Sequence, residues 1–159
     1  MTDWEERIRI FWLDASDADE ESTLSSMHVL IAERRDDDPA ATYEWASVHD
    51  FLGQEAEAIP LYRRALELGL DPVCLPQAQI QLASSLRNVG ETTEAIRILE
   101  GVESDATIGD ANEAFLALAL FDAGRPGDAL RVALKALGKT LPLYRGAIDH
   151  YADAIVEPK

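Results

Sequence analysis

AATYEWASVHDFLGQEAEAIPLYRRALELGLD, residues 40–71, reads as two antiparallel helices joined at Gly53. Just upstream, Asp38 is a good N-cap, and Pro39 suits a first helical position, where its missing N–H removes no bond. The first helix is expected to run to Leu52. Gly53 then fits the residue beyond the C-cap, because glycine tolerates left-handed backbone. The partner helix is expected from about Glu55 to Leu68, with Gly69 stopping it. Ala58, Tyr62, Ala65 and Leu66 share one stripe of it. The alanines let the two helices approach closely, and Tyr62 and Leu66 fill the space between them. Pro60 lies inside this helix and removes a donor, which predicts a slight kink or a late start.

The same hinge returns at Gly90 and Gly124, 37 and then 34 residues on. Five residues after each glycine stands an alanine: Ala58, Ala95, Ala129. Seven residues before each stands another: Ala46, Ala83, Ala117. A large apolar residue precedes each of these: Trp45, Leu82, Leu116. Small residues at matching places on both helices are what close hairpin packing needs. One such hairpin cannot bury its apolar face alone, so successive hairpins stack.

Outward from the first hairpin, the same reading gives a helix from Leu75-Pro76 to Val89 and a partner from Glu91 to about Val102. Glu103 to Gly109 is a loop. Helices follow from about Asp110 to Asp122 and from Pro126 to about Leu137, before Gly138. On the N-terminal side, Trp4, Ile8, Phe11 and Trp12 form one apolar face of a helix over 4–14. Asp17 and Glu20 have capping-box spacing. A second helix runs to about Arg35, with Leu24, Met27, His28, Leu30 and Ile31 inward. At the other end, Tyr144, Ile148, Tyr151 and Ile155 give a last helix a single apolar face, and Glu157 to Lys159 is a polar tail. No run alternates with period two, so no strand is expected.

This pattern resembles the tetratricopeptide repeat, whose unit has large-apolar, small, apolar, Gly, Ala, aromatic and Ala positions. The first unit matches it best, through Trp45, Ala46, Gly53, Ala58, Tyr62 and Ala65. The second has Leu99 and Val102 where the family prefers an aromatic and an alanine, and the third has Ala133 at the aromatic position. The order of units looks like that of small single-domain bacterial proteins of the family. The resemblance implies an all-α, right-handed α-solenoid of antiparallel helix pairs forming a single domain. Its parts would be an N-terminal pair (1–37), repeats over 39–71, 75–107 and 109–141, and a C-terminal capping helix over 142–156.

Composition bounds what this chain does. Its 159 residues carry 30 Asp and Glu against 14 Lys and Arg, a formal charge of −16. That argues against nucleic acid and against an anionic membrane as partners. No apolar run spans a bilayer, and the acidic start MTDWEERIRIFW is not a signal peptide, so a cytoplasmic location is expected. Cys74 is the single cysteine, and it reads as an apolar filler in a loop. His28, His49 and His150 belong to no metal-ligand pair. Gly138-Lys139-Thr140 follows a helix instead of a strand, unlike a phosphate loop. Neither a cofactor nor a metal nor catalysis is expected.

The resemblance also implies a concave groove, lined by the first helix of each unit and holding an extended peptide. The equivalent positions are Tyr43, Glu44, Ser47, Asp50 and Phe51 in unit one, and Gln77, Gln81, Ser84, Arg87 and Asn88 in unit two. Unit three contributes Phe115, Leu118, Phe121 and Asp122. Gln77, Gln81, Ser84 and Asn88 are spaced 4, 3 and 4 and share one helix face. Amides there pair with peptide backbone, and Arg87 suits a carboxylate. The leading expectation is an adaptor that binds a protein or peptide in this groove. The alternatives are a homodimer through the Trp4/Phe11/Trp12 or Tyr144/Tyr151 face and, further off, a small-ligand sensor or enzyme.

Overall fold

A computed structural model describes residues 2–103 and 108–156 of the chain. The helices are α1 (Asp3–Asp14), α2 (Glu20–Ile31), α3 (Pro39–Phe51), α4 (Glu55–Leu68), α5 (Leu75–Asn88), α6 (Thr92–Glu100), α7 (Ala111–Asp122), α8 (Pro126–Thr140) and α9 (Arg145–Asp153). No strand occurs among the described residues. Consecutive helices pack against one another, and α3, α5 and α7 also touch in succession. The result is an all-α stack of antiparallel pairs.

The three hinges are the same object. Gly53, Gly90 and Gly124 have φ of 71°, 88° and 75°. The glycine N–H reaches the carbonyl of Asp50, Arg87 or Phe121, and the next residue's N–H reaches that of His49, Leu86 or Leu120. This paired closure satisfies the last carbonyls of the first helix. The residue after each glycine, Gln54, Glu91 or Arg125, also gives its own carbonyl to the N–H of Ala58, Ala95 or Ala129. One residue thus closes one helix with its N–H and opens the next with its C=O.

Five of the six alanines at these spacings occupy the seams that the spacing predicts, and Ala117 is only half-buried, on the open face of the third hairpin. Ala46, Ala58, Ala65, Ala83 and Ala95 are wholly buried, and Ala129 nearly so. Together with Tyr62, Leu82, Leu86, Leu99 and Leu120 they form one continuous core through the three hairpins. A second cluster joins the N-terminal pair to α3: Ile8, Met27, Leu30 and Val48 are buried, and Trp4, Phe11 and Trp12 pack against them. The aromatic face of α1 is therefore engaged inside the molecule, not free for a dimer. Trp4 is fixed further by its indole N–H on the Leu30 carbonyl (2.9 Å) and by Arg34 stacked 5.0 Å from its ring centre.

Several boundaries differ from expectation. The N-terminal capping box is Thr2 with Glu5, and Asp19, not Asp17, caps α2 through the Ser22 N–H. That second helix stops at Ile31 instead of Arg35, just ahead of Asp36, Asp37 and Asp38; carboxylates are unfavourable at a helix C-terminus. His28 is exposed, its ring edge-on to Trp45. Helix α4 starts on time and runs through Pro60. Helix α6 spans only Thr92–Glu100, because Glu91 serves the hinge and Gly101 caps the end.

The C-terminal end departs most. Helix α8 continues through Gly138, which is buried because α9 crosses there: an added Cβ would lie 3.4 Å from Asp149 Oδ1 and 3.7 Å from Ile148 Cγ2. That glycine serves close approach, not termination. Tyr144 stands outside α9 as its N-cap in left-handed backbone, and both Tyr144 and Tyr151 are exposed. Helix α9 rests on α8 and makes no close approach to α7 among the described residues. The expected loop over 103–109 is described only at its ends, and the polar tail 157–159 lies outside the described residues.

Candidate functional site

Helices α3 and α5 lie side by side because each is the first helix of its hairpin. That stacking puts about two turns of α3 opposite the first turns of α5. A cavity of about 500 Å³ opens there. Tyr43, Ser47 and Asp50 line it from α3, and Gln77 and Gln81 from α5. With Glu44 and Phe51, also on α3, seven of the groove residues that the sequence nominates line this space. Cys74 and Trp12 of α1 complete the wall.

Trp12 and Cys74 are the members that sequence reasoning missed, and Trp12 is the more informative. It sits outside the repeated units, so no register points to it. Only the rule that a buried indole N–H needs an acceptor hints at its role. Its N–H donates to Glu44 Oε2 at 2.7 Å, and its ring meets Phe51 edge-on at 5.8 Å.

The electrostatics of the cavity are one-sided. Burial pushes the Glu44 carboxyl up to about 7, against the opposing pull of the Trp12 hydrogen bond. Burial also raises Asp50, although Ser85 Oγ (2.7 Å) and Tyr62 Oη (3.2 Å) both donate to it. Tyr43 and Tyr62 are held above the usual phenol range, again chiefly by burial. The Cys74 thiol is pushed up to about 11 by burial and by Asp71. Gln81 Oε1 is buried with no hydrogen-bond partner. No Lys, Arg or His lines the space. Burying carboxylates without a counter-charge is costly, and a cation brought into the cavity would recover that cost.

The remaining nominated residues are placed elsewhere. Ser84 lies half-buried one turn beyond Gln81 on α5. Arg87 is paired with Asp122 of α7 at 2.6 Å, and also donates to Asn88 Oδ1. Asn88 in turn donates to Glu55 Oε1 at 3.0 Å. The pair picked out as a carboxylate clamp thus works as a strut across successive hairpins, with Arg87 already holding a carboxylate of its own chain. Phe115 packs against the core. Phe121 and Leu118 are exposed and line a different, apolar depression between α7 and α8.

Among the described residues, no group of three or more His, Cys, Asp or Glu is placed to hold a metal ion, and no helix is long and apolar enough to cross a membrane. A family model described as tetratrico peptide repeat matches residues 39–155. No curated protein and no solved structure matches the chain.

Proposed function

The chain belongs to the tetratricopeptide-repeat family, and from that premise we propose that it is an adaptor that holds a protein or peptide segment along α3 and α5, with the cavity beside Glu44 receiving a basic side chain. Repeats of this family generally serve protein–protein interaction. One observation carries the finer reading. The cavity offers Glu44, Asp50 and the unpartnered Gln81 Oε1 among the rings of Trp12, Tyr43 and Phe51, and supplies no cation of its own. Aromatic faces and carboxylates together favour a lysine or arginine head group. The formal charge of −16 draws basic segments in and repels acidic ones. Members of the family typically act as scaffolds, and we assign no reaction.

Fluorescence anisotropy with labelled extended peptides tests this reading. Peptides carrying Lys or Arg should bind, and matched peptides carrying Glu or norleucine at that place should not. Glu44→Gln should weaken the basic peptide by about tenfold, the scale of one charge-assisted contact. Equal binding of all three peptides would sink the proposal.

A further inference from the structure

The apolar depression on the third hairpin is the seam of a stack that stops. Its α7 wall is Ala114, Ala117, Leu118 and Phe121, and its α8 wall includes Leu130 and Ala133. Subtracting the 34-residue repeat gives Ile80, Ala83, Ser84, Arg87, Ile96 and Leu99. In that hairpin these positions meet α7: Arg87 pairs with Asp122, and Ile80, Ala83, Ile96 and Leu99 are buried in the shared core. One unit further back, Tyr43, Ala46, Ser47, Asp50, Ile59 and Tyr62 meet α5 in the same way, with Asp50 accepting from Ser85. The third hairpin presents the same surface uncovered. Helix α9 does not take the place of the next first helix: it holds α8 from another side, through Arg131 on the Ile155 carbonyl, Lys135 on Asp153 and the crossing at Gly138. Leu118, Phe121 and Leu130 remain 48%, 64% and 51% exposed. The position that is Asp in unit one and Arg in unit two is Phe in unit three, so the expected occupant is apolar as well as helical.

We propose that this face closes on a second copy of the chain, α7 against α7 in antiparallel register about a twofold axis. The pattern along α7 is self-complementary in that direction only. Residues whose numbers sum to 235 face each other, so Phe121 meets Ala114 and Leu118 meets Ala117 of the other copy. Every large side chain is opposed by a small one, which is how ridges enter grooves. A parallel pairing sets Phe against Phe and leaves the alanines with a gap. Antiparallel pairing also opposes the two helix dipoles favourably. The stripe itself carries none of the chain's 30 acidic side chains; Glu113 and Asp122, which flank it and lie level with each other in this register, are each held by a cation of their own chain, Lys139 and Arg87. A twofold contact uses the same patch on both copies and ends at a dimer, whereas a head-to-tail extension of the stack grows on. This inference is independent of the cation-binding reading.

Sedimentation velocity over a concentration series, one charge substitution, and two single cysteines placed in a background without Cys74 test it. The wild-type chain should show a concentration-dependent dimer. Phe121→Arg should raise the dimer dissociation constant by about tenfold or more, with unchanged helical circular dichroism because Phe121 is already exposed. In a Cys74→Ser background, Ala117→Cys lies at the axis and should oxidise to a disulfide-linked dimer, while Ala123→Cys, far from the axis, should not. A monomer at high-micromolar concentration would overturn the proposal, even if it captured a helix of another protein. A dimer indifferent to Phe121→Arg, or equal cross-linking at the two cysteine positions, would overturn it as well.

Discussion

Ser85 of α5 donates its hydroxyl to Asp50 of α3 at 2.7 Å, and both groups lie in the seam between the first and second hairpins. Asp50 also receives the Tyr62 hydroxyl at 3.2 Å, so one carboxylate ties together three helices. Ser85 is wholly buried. Replacing it by alanine leaves Asp50 Oδ1 without that donor. Ser85→Ala should cost about 1–3 kcal/mol, the scale of a buried acceptor left short of a partner. Urea denaturation followed by circular dichroism measures this, and a midpoint equal to wild type would count against the three-helix tie.

Glu44 makes stability depend on pH in an unusual direction. Its folded carboxyl titrates at about 7 and its ordinary value is 4.5. The folded state therefore binds this proton more tightly than the unfolded chain does. The stability it contributes is complete below about 4.5 and is lost as pH rises through about 7. Glu44→Gln should stabilise the protein by about 1–3 kcal/mol at pH 8 and by little at pH 4.5. Thermal melts of the two proteins at both pH values decide this; a gain of equal size at both would show that Glu44 titrates normally.

The same group couples pH to binding. A cation in the cavity favours the ionised carboxylate, so binding of a basic peptide releases the Glu44 proton. Affinity should rise between pH 6 and pH 8, and Glu44→Gln should flatten that rise. Titration calorimetry in buffers of different ionisation enthalpy would count the released proton directly.

Arg87 and Asn88 separate packing from recognition. They engage Asp122 and Glu55 of neighbouring hairpins, not the cavity. The double change to alanine should lower stability by about 1 kcal/mol or less, as partly exposed pairs do. Binding of the basic peptide should stay within a factor of about two. Loss of binding with stability intact would move the binding surface toward this strut.

Gly138 measures how tightly α9 is held. The space for an added Cβ is bounded by Asp149 Oδ1 at 3.4 Å and Ile148 Cγ2 at 3.7 Å. Gly138→Ala gains helix propensity against a slight crowding and should be near neutral. Gly138→Leu has no such room and should cost about 1–3 kcal/mol. Hydrogen exchange should then place the loosening in α9, and protection there equal to wild type would show that α9 is held elsewhere.

The hairpins were legible because their signals are local. A glycine at a fixed offset from buried alanines states both the turn and the helix faces, and α3, α4, α5 and α7 fall within a residue of their expected ends. The ends of α2 and α8 were not legible, for different reasons: α8 is set by a later helix, and the apolar pattern of α2 runs past the point where it stops. Gly138 looks like a stop until α9 is laid across it, and the aspartates after Arg35 act through the helix C-terminus. The site divides in the same way. Tyr43, Ser47, Asp50, Gln77 and Gln81 share two helix faces, so spacing alone brings them together. Trp12 enters from another pair, and the carboxylate that occupies Arg87, that of Asp122, lies on α7, 35 residues away.

The hinge that recurs at the three glycines is made of backbone alone. The residue that bridges the two helices is glutamine in one unit, glutamate in the next and arginine in the third, and the hydrogen bonds are the same in all. The turn itself therefore does not depend on the sign of that side chain, which makes different contacts in different units: Gln54 with His49 and Glu20, Arg125 with Asp128. The turn is thus specified by the glycine and the main chain, and each unit carries its own complete turn.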